Sequence, residues 1–229
     1  SGTTGKPKGV VVEHGSLCTS SRAHGTNRKV GPQTRLLQFA AYTFDVSVAD
    51  IFTTLQRGGC ICVPSEDERI NDLPGAINRM SCNYGFLTPT VAGMLDPTTV
   101  PTLKRLILGG ELLTQDNVQR WASVVDLIIS YGMTECSIHC VDAVPLTLES
   151  DPADLGRPSG CHMWIVDPND HNKLAPIGSV GELVIEGRMV SRGYLGDKAK
   201  TDAAFIIDPT WSQGTGSTRR MYSTGDMVR

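Results

Sequence analysis

The sequence lacks the features that mark several common classes of protein. It has no apolar run long enough to span a bilayer. Its formal net charge of −3 gives no electrostatic case for binding nucleic acid. It contains no internal repeat and no low-complexity linker. Since 40% of its 229 residues are hydrophobic and 20% are charged, a sizeable core can form, and we expect one large domain or two small ones.

The seven cysteines form no recognisable pattern. Their number is odd, and the sequence shows neither a disulfide framework nor paired C-x-x-C spacing. We therefore expect reduced thiols in a cytoplasmic protein. Cys136, His139 and Cys140 are spaced closely enough for two metal ligands on one helical turn. No second pair accompanies them, so we do not predict a metal site there.

Short apolar runs alternate with helix-like segments over the first 145 residues. Runs of strand length occur at 9–14, 35–40, 60–64, 105–110 and 125–130, and helical patterns occur at 47–59, 72–80 and 114–123. Nearly continuous apolar strands that alternate with helices are typical of a parallel sheet covered on both faces. The pattern therefore predicts an α/β fold with parallel sheets covered by helices.

The pattern changes after Pro145. Residues 163–187 read as a strand, a polar turn and a second strand with alternating polarity. We therefore predict an α/β core over 1–145 and a β-rich subdomain over 146–229. Both ends of the sequence fall in patterns typical of ordered structure, so we expect the chain to be a fragment of a longer protein.

The first nine residues, SGTTGKPKG, have a composition suited to a phosphate. Glycines let backbone N–H groups approach an anion, hydroxyls donate hydrogen bonds, and lysine adds positive charge. The segment is not a Walker loop, because only Thr3 and Thr4 separate Gly2 from Gly5 and a proline follows Lys6. A flexible polar surface loop is the alternative on composition alone.

Six segments in one order carry a family resemblance from end to end. The glycine-rich segment resembles the phosphate loop of adenylate-forming enzymes, and FDVSVADIF (44–52) resembles the FDxS segment of amino-acid adenylation domains of nonribosomal peptide synthetases. Further matching segments are GGE (109–111), YGMTE (131–135), GELVIEGRMVSRGYLGD (181–197) and YSTGDMVR (222–229). The resemblance implies the large N-terminal domain of these enzymes, truncated at both ends. The family's small C-terminal subdomain and its catalytic lysine would then lie outside this sequence, so we expect the isolated fragment to be nearly inactive.

The resemblance implies a reaction and its cofactors. ATP and Mg²⁺ would activate an amino acid to an aminoacyl-adenylate, with release of pyrophosphate. The aminoacyl group would pass to the phosphopantetheine thiol of a peptidyl carrier domain, with condensation domains in the same synthetase. Because an anion attacks an anion, the site must neutralise charge and align the partners. The alternatives are an acyl- or aryl-CoA ligase of the same superfamily and a non-catalytic adenylation-like module.

The resemblance also assigns residues to the nucleotide. They are Thr3, Thr4 and Lys8 at the β- and γ-phosphates, Thr134 at the α-phosphate, Glu135 at Mg²⁺, and Tyr131, Gly132, Gly110, Glu111 and Asp226 at the adenosine. A carboxylate that binds Mg²⁺ together with phosphate oxygens is the usual arrangement for this ion. The structural alternatives are an acid at a helix N-terminus for Glu135, a core aromatic for Tyr131 and a turn residue for Asp226.

The resemblance places nine residues around the substrate. They are Asp45, Val46, Ala49, Phe86, Ile107, Gly109, Ser130, Ile138 and His139. Asp45 would pair with the substrate α-ammonium, which fatty-acyl ligases lack; a helix N-cap is its alternative role. Ala49 stands where many relatives have a bulky aromatic, and Gly109 and Ser130 are also small. The resulting space predicts a large aromatic amino acid, tryptophan first, with a long aliphatic such as leucine as the alternative.

Overall fold

The computed structural model describes residues 8–142, 145–212 and 218–229. These residues form two compact units, which we name after their sheets. The antiparallel-sheet unit collects the described parts of Ser1–Ser20, Met133–Cys140 and Gly160–Arg229. The parallel-sheet unit comprises Ser21–Gly132 and the described part of Val141–Ser159.

The elements up to residue 158 include the seven strands of the parallel-sheet unit. In chain order they are α1 (His14–Asn27), β1 (Arg35–Leu37), α2 (Asp45–Gln56), β2 (Cys60–Cys62), α3 (Glu66–Asn71), α4 (Leu73–Arg79), β3 (Tyr84–Leu87), α5 (Pro89–Met94), β4 (Arg105–Leu108), α6 (Gln115–Trp121), β5 (Asp126–Tyr131), β6 (Val141–Asp142) and β7 (Arg157–Pro158). The strand order is β2-β1-β3-β4-β5-β6-β7. The pairs from β2 to β5 are parallel, and β6 and β7 are added antiparallel.

The sheet of the parallel-sheet unit is apolar on both faces because its strands carry consecutive hydrophobic residues. In β4, Leu106 and Leu108 pack into a large cluster with Trp121 of α6. Ile107 points to the opposite face and packs with Tyr84 and Phe86 of β3. Successive side chains of a strand alternate between faces, so uninterrupted apolar runs supply two cores.

The antiparallel-sheet unit contains five strands and a short helix. They are β8 (His162–Asp167), β9 (Asp170–Leu174), β10 (Gly181–Glu186), α7 (Lys198–Ala204), β11 (Phe205–Ile207) and β12 (Arg220–Val228). The strand order is β11-β12-β10-β8-β9, and each neighbouring pair is antiparallel. Val166, Val184 and Met221 form a small core with Trp164 and Trp211 packed against it.

The predicted fold class is confirmed, and some local predictions differ from the structure. The predicted strand at 9–14 is wrong: Val10 makes only an isolated bridge with Tyr194, and α1 begins at His14. The helix predicted to begin at Ser47 begins at Asp45. The division into 1–145 and 146–229 stays a prediction. Among the described residues, no helix is both long enough and apolar enough to cross a membrane.

Candidate functional site

Two residues predicted to act on the phosphates and Mg²⁺ meet on one tyrosine of the antiparallel-sheet unit. The Tyr194 hydroxyl donates a hydrogen bond to Glu135 Oε1 at 2.7 Å. The Lys8 ammonium lies over the Tyr194 ring, 5.3 Å from its centroid, in a cation–π contact. Tyr194 therefore joins a cation and a carboxylate that are 127 residues apart in the chain (135 − 8).

Backbone hydrogen bonds hold the same region together. We call residues 191–195 the bridging segment. Its Gly193 carbonyl accepts from Val11 N at 2.9 Å, and its Arg192 N donates to the Val11 carbonyl at 3.0 Å. On the other side, Ser191 N donates to the Glu135 carbonyl at 2.8 Å. The bridging segment is thus hydrogen-bonded both to Val11, which follows the glycine-rich segment, and to the turn that carries Glu135.

Gly193 is required by close packing in the bridging segment. Its φ of +133° lies in a region that side chains rarely adopt, and a Cβ there would lie 2.4 Å from Thr201 Cγ2. Thr201 Oγ1 in turn accepts a hydrogen bond from Tyr194 N at 3.0 Å. The absence of a side chain at 193 therefore lets α7 approach and fix the backbone of Tyr194.

The turn that carries Thr134 and Glu135 is strained just beyond them. Residues Thr134–Cys136 form a single 3₁₀ turn, after which Ser137 has φ 56° and Ile138 has φ 89°. Positive φ at a β-branched residue is unfavourable by about 1–3 kcal/mol and persists only where the surroundings impose it. Here the Ser137 hydroxyl donates to the Met189 carbonyl at 2.7 Å, which anchors the turn.

The donor set around Glu135 fits a magnesium ion that shares phosphate ligands. Among the described residues, no group of three or more His, Cys, Asp or Glu side chains could hold a metal by itself. The half-buried Glu135 carboxylate, on the residue after Thr134, suits Mg²⁺, which commonly takes one or two carboxylates and completes its shell with phosphate oxygens and water. Burial raises the pKa of Tyr194 to about 12, so its hydroxyl keeps its proton at neutral pH.

The parallel-sheet unit brings several predicted substrate residues together. Val46 of α2 packs against the cluster that contains Phe86 of β3 and Ile107 of β4. Ala49 of α2 is buried. Asp45 is the first residue of α2, whose N-cap is Phe44 with no side-chain capping hydrogen bond. An N-cap role for Asp45 is therefore not observed, and its carboxylate lies at the favourable end of the helix dipole.

Gly109 follows β4 where there is little room for a side chain. A Cβ at this position would lie 2.5 Å from the Ser130 carbonyl oxygen and 3.0 Å from Phe86 Cζ. The space expected from the missing side chain is therefore occupied by the neighbouring strand and the Phe86 ring. The expectation from the sequence that Gly109 leaves space for the substrate side chain is therefore corrected.

Ser130 is part of a buried polar network that sequence reasoning missed. Its hydroxyl accepts from Arg28 Nη2 at 2.6 Å and donates to the Val141 carbonyl at 3.4 Å. Arg28 also donates to Asp142 Oδ1 from Nε at 2.9 Å and from Nη2 at 2.6 Å. Tyr84 hydrogen-bonds to the same guanidinium, and burial raises its pKa to about 12. Ser130 is thus already held by protein groups.

The predicted adenosine residues are more exposed than the predicted substrate residues. In the parallel-sheet unit, Gly110 and Glu111 follow β4 and are exposed, while Tyr131 ends β5 and is half-buried, with exposed Gly132 after it. Glu111 Oε2 accepts from the Thr90 hydroxyl at 2.6 Å and from Thr90 N at 3.0 Å. These bonds hold the pKa of Glu111 below its ordinary value.

The remaining predicted residues are divided between the two units and the undescribed part of the chain. Asp226 lies exposed in β12 of the antiparallel-sheet unit, to which Ile138 and His139, both buried, also belong. Thr3 and Thr4 lie outside the described residues. Tyr194 was missed as a functional residue, although it stands inside the matched segment 181–197. No local pattern marked Arg28 and Asp142, because their pairing is long-range.

Comparison with known proteins defines the family. The model of the AMP-binding enzyme family matches residues 1–195. The chain therefore belongs to the family of AMP-binding enzymes.

Similar proteins include several nonribosomal peptide synthetases. The chain is 53% identical over its whole length to nonribosomal peptide synthetase atnA of Emericella nidulans, and 52% to the FR901469 synthetase of a Dothideomycetidae species. It spans only 3% and 2% of those proteins.

Solved adenylation domains share the fold. The Vibrio cholerae adenylation domain AlmE, solved with glycyl-adenosine-5'-phosphate, matches all of the chain with a TM-score of 0.79 and 28% identity, and the chain covers 44% of it. The four-domain nonribosomal peptide synthetase AB3403, solved with AMP and glycine, matches 98% of the chain with a TM-score of 0.85 and 28% identity, and the chain covers 17% of it.

Proposed function

We propose that the chain is part of an adenylation domain that activates an amino acid. ATP and the amino acid give an aminoacyl-adenylate and pyrophosphate, and the aminoacyl group then passes to the phosphopantetheine thiol of a carrier domain. The observation that carries the proposal is the meeting of Lys8 and Glu135 on Tyr194. A cation for phosphates and a carboxylate for Mg²⁺ are the two charges that an ATP site of this kind requires.

In the proposed reaction, the described residues would neutralise charge and bind the substrate ammonium. Lys8 would offset the charge of the β- and γ-phosphates, and the Thr134 hydroxyl would donate to the α-phosphate. Glu135 would hold Mg²⁺, and the ion would supply positive charge that lowers the repulsion between the phosphates and an incoming carboxylate. Asp45 would bind the substrate ammonium through a charge-assisted pair.

Residues of the parallel-sheet unit support the substrate class that we propose. Val46 packs against the apolar cluster that contains Phe86 and Ile107, and a charged side chain placed against this cluster would lose its hydration. Ala49, three residues after Val46 in α2, has a small and buried side chain. We propose a large aromatic amino acid, tryptophan first, since its area suits an apolar wall with an aromatic ring.

Amino-acid-dependent exchange between ATP and pyrophosphate tests the proposed reaction. The assay uses a complete adenylation domain that contains this chain. Exchange with an aromatic amino acid supports the proposal. Exchange only with a des-amino acid indicates a CoA ligase, and no exchange from folded protein indicates a non-catalytic module. A best substrate that is glycine, alanine or acidic contradicts the proposed substrate class.

The variant Ala49→Leu tests whether α2 limits the size of the substrate. We expect kcat/KM for tryptophan to fall by about tenfold or more relative to that for alanine, because added methylenes overpack the site by about 1–3 kcal/mol. Exposed Val48 provides the control Val48→Leu, which adds bulk to α2 at a position that is not assigned to the substrate. An unchanged ratio in Ala49→Leu would show that Ala49 lies away from the substrate side chain.

A further inference from the structure

We propose that Tyr194 is a positioning residue with two tasks. Its hydroxyl orients the Glu135 carboxylate for Mg²⁺, and its ring restrains the Lys8 ammonium. The inference rests on the proposed function, which supplies the ligands of Glu135 and Lys8. It adds a residue to which no phosphate or metal role was assigned from the sequence. Two separate parts of the tyrosine perform the two tasks.

The hydroxyl restrains Glu135. A half-buried glutamate has three rotatable bonds, and fixing them opposes binding. The 2.7 Å hydrogen bond from the Tyr194 hydroxyl occupies Oε1 and leaves Oε2 for the cation. The bond is charge-assisted and therefore stronger than a bond between neutral groups.

The ring restrains Lys8. The ammonium lies 5.3 Å from the ring centroid, and the Asp197 carboxylate interacts electrostatically with the same ammonium. Limiting the motion of this long side chain reduces the entropy that is lost when a phosphate binds.

Tyr194 is itself firmly held, as a positioning residue must be. Its backbone N–H donates to Thr201 Oγ1, and its ring packs edge-on against Phe205 with centroids 5.9 Å apart. The bridging segment fixes its backbone to the Glu135 turn and to Val11. The Tyr194 hydroxyl also lies 3.5 Å from the hydroxyl of Tyr222.

The first test measures how ATP binding depends on Mg²⁺ in the complete adenylation domain. Isothermal titration calorimetry with ATP, without amino acid, is repeated over a range of Mg²⁺ concentrations and in EDTA. Tyr194→Phe keeps the ring and removes the hydroxyl. We expect the Mg²⁺ concentration that gives half of the maximal increase in ATP affinity to rise about tenfold, because a hydrogen bond to a charged group is lost. ATP binding in EDTA should be unchanged. Tyr222→Phe is the matched control and should titrate like the unmodified protein.

A double-mutant cycle assigns the effect to Glu135. In a Glu135→Gln background, Tyr194→Phe should shift the Mg²⁺ titration by less than twofold, because the charged partner is already gone. Tyr194→Leu removes the ring as well, and should weaken ATP binding in EDTA about two- to fivefold. That loss should shrink in a Lys8→Met background.

The outcomes separate the two levels of the argument. If ATP binding is insensitive to Mg²⁺, or if Glu135→Gln titrates like the unmodified protein, the proposed metal role fails. If Glu135→Gln shifts the titration and Tyr194→Phe does not, only the positioning role is overturned. A Tyr194→Phe protein that has a lower Tm but a normal Mg²⁺ titration, or that does not fold, assigns Tyr194 to stability and also overturns the inference.

Discussion

At the scale of single residues, the parallel-sheet unit buries more charge than its apolar strands suggest. Arg28 and Asp142 pair at 2.6 Å with side chains only 3% and 2% exposed. Asp50 is buried near the same guanidinium, and its Oδ2 has no hydrogen-bond partner among the described residues. One cation therefore faces two carboxyl groups in the buried network.

Asp142→Asn should strongly destabilise the protein. The amide keeps the shape of the side chain but leaves the buried Arg28 guanidinium without its counter-charge, which costs about 3–5 kcal/mol. Urea unfolding followed by circular dichroism measures the change. Asp126→Asn is the control, because the pair between Asp126 and Arg105 is partly exposed and should contribute about 1 kcal/mol or less. Equal losses in both variants would contradict the argument.

Asp50 should make stability depend on pH. Burial, opposed in part by Arg28, raises the pKa of this carboxyl from 3.8 to about 8. The folded state therefore holds a proton that the unfolded state releases, and the free energy of unfolding should fall as pH rises from about 4 to about 8.

Asp50→Asn removes that titration. The variant should be more stable than the unmodified protein at pH 8, and the difference should shrink towards pH 4. Urea midpoints measured at several pH values provide the comparison. Parallel curves for the two proteins would show that Asp50 is not the titrating group.

At the scale of elements, close approach between neighbouring strands decides which residues are tolerated. Gly109→Ala would place a Cβ against the Ser130 carbonyl of β5, and backbone cannot move aside as a flexible side chain can. We expect a loss of about 1–3 kcal/mol in the free energy of unfolding. Gly31→Ala is the control, since no atom lies within 4 Å of its added Cβ. If Gly109→Ala left the free energy of unfolding unchanged, the two strands would be able to separate at little cost.

The strands of the parallel sheet were predictable because consecutive apolar residues are needed to cover two faces. The apolar runs at 105–110 and 125–130 predict strands, and the structure has strands at Arg105–Leu108 and Asp126–Tyr131. Residues 9–14 have the same apolar pattern but form no strand, and the described part of this run makes only the isolated bridge between Val10 and Tyr194. A local pattern cannot show whether a partner strand exists.

At the scale of the whole molecule, the 229 residues are a portion of the length of their relatives. The chain covers 44% of the AlmE adenylation domain. Residues elsewhere in such a domain would supply the transition-state lysine that the family resemblance implies. Under the proposed function, we expect the isolated chain to form adenylate about 10²–10³-fold more slowly than the complete domain, because one electrostatic contact of this kind has that effect. Single-turnover adenylate formation by the two proteins compares them, and equal rates would contradict the expectation.

The sequence by itself determined the α/β fold class and the order of the matched segments. Apolar periodicity and short motifs are local properties, and the family resemblance that the motifs carry allowed Lys8, Thr134 and Glu135 to be predicted as site residues from the sequence. Tertiary structure alone decided that Tyr194 contacts both Lys8 and Glu135, and that Arg28 holds Ser130 and Asp142. These contacts join residues far apart in the chain, and their partners are chosen by packing and by the need to satisfy buried polar groups, neither of which a local pattern contains.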